Sequence, residues 1–371
     1  MTRKSWGRAL IAVAAIGALA LGVAACGDDD SSSSSDTTAA VGAGGKIALL
    51  LPETKTARYE ALDKPQFEKK VAELCPDCTV IYSNADQDAS KQQQQAEAAL
   101  TNGAKVLVLD PVDSASAAAI ANQANAKGVP VISYDRLITD ADLALYISYD
   151  NEKVGRLQAQ SLVDKMTEMG NGSGTIVMIN GAPTDNNAKL FKAGAHSVFD
   201  SSSIKIGAEY DTPDWSPDKA QTEMDQAITK LGKTGFQGVY AANDGTAGGA
   251  IASMKGAGIN PATRPTTGQD AELAAIQRIV AGTQYMTIYK APVPEAGAAA
   301  EAAVAIVKGE DPPKTTGTTD NGKIQVPSII FDPVVVTVDN INDTVIAGGT
   351  YTAAQICTAP YKTACQKAGI E

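Results

Sequence analysis

The chain has 371 residues, 44% of them hydrophobic, and a formal net charge of −11. A strongly acidic chain without basic runs is a poor partner for a phosphate backbone or for anionic lipid at large, so nucleic-acid binding is excluded. The length suits two domains or one large one.

The N-terminus reads as an export signal. Arg3, Lys4 and Arg8 precede an uncharged run, Ala9 to Ala25, that ends in the small residues Val23-Ala24-Ala25. Cys26 follows, and a small-small-Cys ending resembles the lipobox of bacterial lipoproteins. Residues 1–25 are therefore expected to be a signal peptide and Cys26 the lipidated first residue of an exported protein held at the outer face of the cell membrane; the competing reading is a permanent transmembrane anchor. The Asp- and Ser-rich stretch after it has too little apolar surface to offset its ordering entropy, so residues 26–45 read as a tether.

From Lys46 apolar strands alternate with helices. Strands are predicted at 46–51, 79–82, 106–109 and 129–133, with helices at 58–74, 90–101 and 114–127 between them. A connecting strand at 143–148 leads into a second series. Its helices fall at 152–169, 188–199, 217–231, 246–255 and 272–281, and its strands at 175–179, 205–209, 238–241, 265–267 and 286–289. Short apolar strands separated by helices imply right-handed βαβ units on parallel sheets. Gly103 to Arg136 and Gly235 to Asp270 share one order of strand, acidic turn, Ala-rich helix and strand. Two similar α/β lobes are expected.

With Cys26 set aside, the cysteines form two close pairs, Cys75 with Cys78 and Cys357 with Cys365. In an exported chain they read as two structural disulfides. Zinc would need the distant pairs to meet. Thioredoxin-like chemistry would need the first pair at a helix start, whereas it follows a helix. No metal and no cofactor are expected.

In open parallel sheets ligands gather beyond the carboxyl ends of the strands. The polar residues predicted there are Asp135 and Arg136, Asp185 and Asn187, Asn243, Asp270 and Lys290. Arg58, Tyr59 and Trp215 add donors and flat rings. Carboxylates that accept, cations that donate and amides that do both suit a ring of hydroxyls, and aromatic faces suit its C–H surfaces. The alternative is that Asp or Asn between strand and helix only caps the helix. That reading is favoured for Asp110, Asp113, Ser114 and Asp244. Arg136 could likewise pair with Asp140 or Asp142 at the surface, and Lys290 could be solvated. Composition leaves the ligand class open.

Longer strings narrow it. Tyr134-Asp135-Arg136-Leu137-Ile138, Tyr146 to Gly155, Asp185-Asn186-Asn187-Ala188-Lys189-Leu190-Phe191, Asn243-Asp244 with Thr246 to Ile251, Gly268 to Leu273 and Gly282 to Lys290 resemble, in order, the bacterial D-xylose-binding proteins of ABC import systems. The resemblance implies the periplasmic binding protein type I fold: two Rossmann-like lobes with parallel sheets, joined by a three-segment hinge and closing over one pyranose. It implies that Arg58 and Arg136 donate to the sugar, that Asp135, Asp185, Asn187, Asn243 and Asp270 bind hydroxyls, that Lys290 lies near the hinge and that Trp215 stacks on the ring. Tyr59 stands where that family is expected to carry Trp. A monomer that hands a monosaccharide, D-xylose, to a membrane permease follows as the expectation. Another aldose, or a sugar-sensing receptor subunit, are the alternatives.

Crossings are expected near Ile147, Tyr289 and Asp320, which assigns 46–147 plus 290–319 to the N-terminal lobe and 148–289 plus 320–346 to the C-terminal lobe. The tail, 347–371, has no expected place. An enzyme is not expected. His196 lies in a predicted helix without a nucleophile. Ser216-Pro217-Asp218-Lys219 and Lys233-Thr234-Gly235 lie too close together for a serine acyltransferase, and Gly245 to Gly249 lacks the Lys-Ser/Thr of a phosphate loop. A sugar-responsive repressor would need a helix-turn-helix where the signal and tether stand.

Overall fold

The computed structural model describes residues 44–370; the signal and Cys26 lie outside the described residues. The N-terminal lobe begins with β1 (Lys46–Leu51), whose Ile47-Ala48-Leu49-Leu50-Leu51 run is buried throughout because β1 lies inside the sheet with both faces covered. A π-helical turn, Tyr59–Asp63, runs into α1 (Lys64–Leu74). The single helix predicted over 58–74 is thus divided at Pro65, which lacks an N–H and crowds the carbonyl four residues back; the wider turn accommodates it. The division leaves Arg58, Tyr59 and Asp63 buried.

β2 (Thr79–Asn84), α2 (Ala89–Thr101), β3 (Ala104–Leu109), α3 (Ala118–Ala126), β4 (Val131–Tyr134) and β5 (Leu145–Tyr149) complete the first series. The second holds α4 (Asn151–Glu168), β6 (Thr175–Asn180), α5 (Asn186–Phe199), β7 (Lys205–Asp211), α6 (Pro217–Leu231), β8 (Gly238–Ala241), α7 (Asp244–Gly256), α8 (Leu273–Val280) and β9 (Thr287–Tyr289). The strand predicted at 265–267 is reduced to a bridge between Thr266 and Val239. Then come α9 (Pro292–Lys308), β10 (Gly317–Asp320), β11 (Gln325–Phe331), β12 (Val334–Val336), α10 (Ala353–Ile356) and α11 (Lys362–Ala368).

The first sheet has the order β10-β11-β5-β4-β3-β1-β2, parallel except that β10 runs antiparallel to β11. The second has β7-β6-β8, all parallel, and the antiparallel pair β12-β9 continues the same lobe. The expected parallel sheets therefore carry antiparallel edges. α9 lays its alanine face, Ala296 to Ala303, on the first sheet.

Two expected boundaries need correction. β5 remains in the first sheet to Tyr149, and β11 pairs with it from Ser328↔Tyr146 to Phe331↔Tyr149. Ser148, Tyr149 and the residues from Asp320 to Phe331 therefore belong with the N-terminal lobe, and the third crossing falls between β11 and β12 rather than near Asp320. Parallel strands can pair only after a long crossover, and β11 returns after the whole second lobe to extend the sheet beside β5. The tail packs Ile356, Cys365 and Ile370 against Ile276 and Ile279 of α8, in one core with Tyr289 and Val336. Cys75 is bonded to Cys78 and Cys357 to Cys365. Among the described residues no helix is long and apolar enough to cross a membrane.

Candidate functional site

The strand ends of the two lobes face one another across a cavity of about 240 Å3. Its wall is formed by Thr56, Tyr59, Asp135, Arg136, Asp185, Asn187, Phe191, Trp215, Asn243, Gln269, Asp270 and Lys290. All the residues singled out from the sequence except Arg58 are in that wall.

Asp135 follows β4 in a left-handed conformation, φ 52°, which turns its carboxylate into the cleft. Lys290 Nζ donates to its Oδ1 at 2.9 Å and the Tyr59 hydroxyl to its Oδ2 at 2.7 Å. Burial alone would push this carboxyl up, but Lys290 and Arg58 outweigh it and hold it well below the usual range. Asp270 also sits at positive φ, 94°, with its carboxylate 3.7 Å from Arg58 and 3.8 Å from Lys290. Here burial wins and its pKa is raised.

Arg136 is buried, not paired with Asp140 or Asp142 at the surface. Its Nε lies 3.1 Å from Asp185 of the opposite lobe and 3.6 Å from Asp110, and one terminal nitrogen is 3.4 Å from Glu53. Lys290, read alternatively as solvated, is buried as well. Tyr59 lies between the two guanidinium groups, their carbons 5.4 and 5.6 Å from its ring centre.

From the far lobe, Asp185 caps α5 by accepting from Asn187 N at 2.8 Å, and its other oxygen takes the Trp215 indole N–H at 3.1 Å. Trp215 sits at φ 53° and meets Phe191 edge-on at 6.3 Å. It is only 3% exposed and shares a core with Phe191, so it is both cavity wall and core. Gly181 makes this possible: a Cβ there would come within 2.0 Å of the indole ring. Asn243 accepts from Thr246 N at 2.9 Å in a capping box and still lines the cavity, so the cap reading and the site reading both hold.

Arg58 stands behind the wall. It donates to Asp63 at 3.0 Å and to Glu295 at 2.7 Å, and Tyr134 also donates to Asp63. Asp63, Glu295 and Glu53 escaped the sequence reading, as did Thr56 and Phe191, and Asp110 was expected only as a cap. The one available signal was Glu295, a carboxylate in an otherwise Ala-rich helix. Asp110 does not cap a helix: its carboxylate is buried and its oxygens have no protein donor within hydrogen-bond reach. Asp113 closes the turn that leads into α3, accepting from Ala115 and Ser116, but the N-cap position of α3 itself is Ala117. Asp244 is a strut instead, accepting from Glu272 N, Gln284 and Thr287.

The lobes are closed on each other. Ser114, read as a cap, donates its N–H to Thr184 O at 3.0 Å and accepts from Asn186 N at 3.0 Å across the cleft. Asn187 Nδ2 donates to Asp135 O at 2.9 Å, and Ala57 N donates to Glu272 at 2.9 Å. The arrangement is a closed, polar cell with acceptors and donors on all sides and the aromatic rings of Tyr59, Phe191 and Trp215 in its wall. His196 is elsewhere, between Asp200 and Glu209 at 3.3 and 3.1 Å.

Comparison with known proteins places this geometry. The periplasmic binding protein domain matches residues 47–311. The chain is 38% identical over 315 residues to the D-xylose-binding periplasmic protein of Escherichia coli (strain K12), covering 84% of this chain and 92% of that one. It is 34% identical over 288 residues to the multiple sugar-binding periplasmic receptor of Rhizobium radiobacter, covering 73% and 81%. The crystal structure of an ABC transporter solute-binding protein from Clostridium phytofermentans with bound β-D-glucose superposes with a TM-score of 0.77 at 29% identity, covering 84% of this chain and 99% of that one. Sequence and fold agree over most of the length, and the chain belongs to the periplasmic binding protein family.

Proposed function

We propose that this chain is the extracytoplasmic solute-binding protein of an ABC sugar importer and that it holds one monosaccharide, D-xylose, in the cavity between its lobes. The observation that carries this reading is the wall itself: Asp135, Asp185 and Asp270 against Arg136 and Lys290, Asn187 and Asn243 able to do both, and the rings of Trp215 and Phe191. Such a wall can meet every hydroxyl of a pyranose with a charged or amide partner and its C–H faces with aromatic surface. The similarity to the D-xylose-binding protein of Escherichia coli favours xylose.

Closure is part of the mechanism. Hydrogen bonds to charged groups contribute about 1.5–3 kcal/mol each before the costs of association. Micromolar affinity needs about 8 kcal/mol net. A few such contacts reach that when water is excluded, and only the closed form lets Asp135 and Arg136 of one lobe and Asp185, Asn243 and Asp270 of the other touch the same ligand. The sugar therefore shifts the population towards the closed form, which the permease reads. Export, with a lipid on Cys26 tethering a monomeric body to the membrane, completes the proposal.

Another aldose is the second reading. The glucose-bound neighbour favours it, as does Tyr59, whose hydroxyl is engaged by Asp135. Calorimetric titration of the protein from Lys46 onward with D-xylose, D-glucose, D-ribose, L-arabinose and D-galactose decides. One-to-one binding of xylose, with the others at least about tenfold weaker (1.4 kcal/mol), is the expected result. Preference for another sugar retains the transport reading and moves the specificity to Tyr59 and its neighbours. Binding of none of them overturns the monosaccharide reading.

A further inference from the structure

Arg136 stands between carboxylates of both lobes. Glu53 and Asp110, at the ends of β1 and β3, share its own lobe; Asp185, at the start of α5, belongs to the other. In the closed structure the Nε is nearest Asp185, at 3.1 Å, and lies 3.6 Å from Asp110. Asp110 is left with both carboxylate oxygens buried and without a protein donor. An ionised carboxylate in that position costs several kcal/mol unless it is paired or protonated. The other charges facing it are Asp135 of the same turn as Arg136 and Arg58 at the start of the π turn, so of the four charges Asp135 and Asp185 repel it, and the buried Tyr59 phenol beside it is held neutral, its pKa raised by burial. When the lobes part, Asp185 leaves with its lobe, and Asp110 and Glu53 are the carboxylates that remain beside Arg136.

We propose that Asp110 is a positioning residue for Arg136: it holds the guanidinium at the face of the open N-terminal lobe, gives it up to Asp185 on closure, and takes a proton from solvent as it does so. This rests on the reading of the cleft as a sugar site that closes. The sign follows from linkage. The closed state binds one proton more at Asp110 than the open state, so closure and ligand affinity gain as pH falls. The gain is at most about tenfold per pH unit for one proton. Burial acts in the same direction on Asp110, raising its pKa well above the ordinary value.

Two measurements test it. The first is calorimetry with D-xylose in buffers of different ionisation enthalpy, on the wild type and on Asp110→Asn. The wild type should take up more protons per sugar than the variant, and its affinity should fall more steeply with rising pH. The second needs no sugar. Ser114→Cys with Thr184→Cys places a cysteine pair where the two backbones already touch across the cleft, and oxidation locks the lobes shut. The carboxyl-carbon NMR signal missing from the Asp110→Asn version identifies Asp110. It should titrate at clearly higher pH in the locked protein than in the same protein reduced. Equal proton uptake by wild type and variant, or an Asp110 that titrates alike in the locked and reduced forms, overturns the proposal. An absence of xylose heat counts against xylose as the ligand and leaves this proposal to the second measurement, because the locked protein is closed without a ligand.

Discussion

Lys290 and Asp135 form a buried ion pair, Nζ to Oδ1 2.9 Å, that joins the segment leaving β9 to the turn after β4. Their side chains are 2% and 4% exposed, so neither charge can turn to water. Breaking such a pair leaves an uncompensated buried charge. Lys290→Met is therefore expected to destabilise the protein by about 3–5 kcal/mol in urea unfolding, besides weakening sugar binding. Because the folded protein holds Asp135 below its ordinary range, this contribution is present above about pH 4 and is lost only as acid protonates the folded carboxylate. Unfolding curves of wild type and variant that coincide at neutral pH would contradict the pair's role.

Asp270 has no hydrogen-bonded cation, only Arg58 and Lys290 at 3.7 and 3.8 Å, so its acceptor capacity faces the cavity. Asp270→Ala should weaken binding of the preferred sugar by at least about tenfold, the loss of one hydrogen bond to a charged group of about 1.5–3 kcal/mol. Asp270→Asn should lose less. A smaller change than tenfold for the alanine variant, read by calorimetry, would count against this carboxylate as a sugar ligand.

Trp215 provides a direct optical readout. The other tryptophan, Trp6, lies in the segment read as the signal, so emission from the protein beginning at Lys46 comes from Trp215 alone. Adding sugar should change that emission, and Trp215→Phe should abolish the change. Trp215→Ala should in addition cost about 3–5 kcal/mol of stability, because the ring is core as well as wall. Emission that ignores a sugar seen to bind by calorimetry would place the ligand away from the indole.

His196 bears on stability rather than on the ligand. Burial lowers its pKa, but Glu209 and Asp200 more than reverse this, and the net shift is upward. A raised folded value means stability that is fully present below the unfolded pKa of about 6.5 and is lost as pH rises through the folded pKa. His196→Gln should thus narrow the difference in urea midpoint between about pH 5.5 and pH 8.5, measured on either side of the ordinary histidine pKa. An unchanged difference would assign the pH dependence to other groups.

The Cys357–Cys365 bond closes the tail over α8, where Cys365 shares a core with Ile276 and Ile356. Replacing both cysteines by alanine should lower stability by about 2–4 kcal/mol while leaving sugar affinity within error. No tail residue is among those lining the cavity. A selective loss of affinity with stability retained would give the tail a part in binding.

The amino-acid sequence by itself determined the alternation of strand and helix, the restart after β5, the two cysteine pairs and the cleft wall from Asp135 to Lys290. These are local signals. A strand's apolar run and the polar residue that ends it are adjacent in the chain, and a parallel sheet necessarily brings its carboxyl ends to one edge. The family strings then assigned roles to those ends. Only the tertiary structure decided which charges face which. Arg58 meets Glu295 across 237 positions of sequence, and Asp110, by its position indistinguishable from a capping Asp, ends without a donor beside Arg136. The return of β11 to the first sheet and the docking of the tail on α8 are of the same kind. Partner choice among like residues is set by distances of a few tenths of an ångström across a hinge, and no spacing along the chain carries that information.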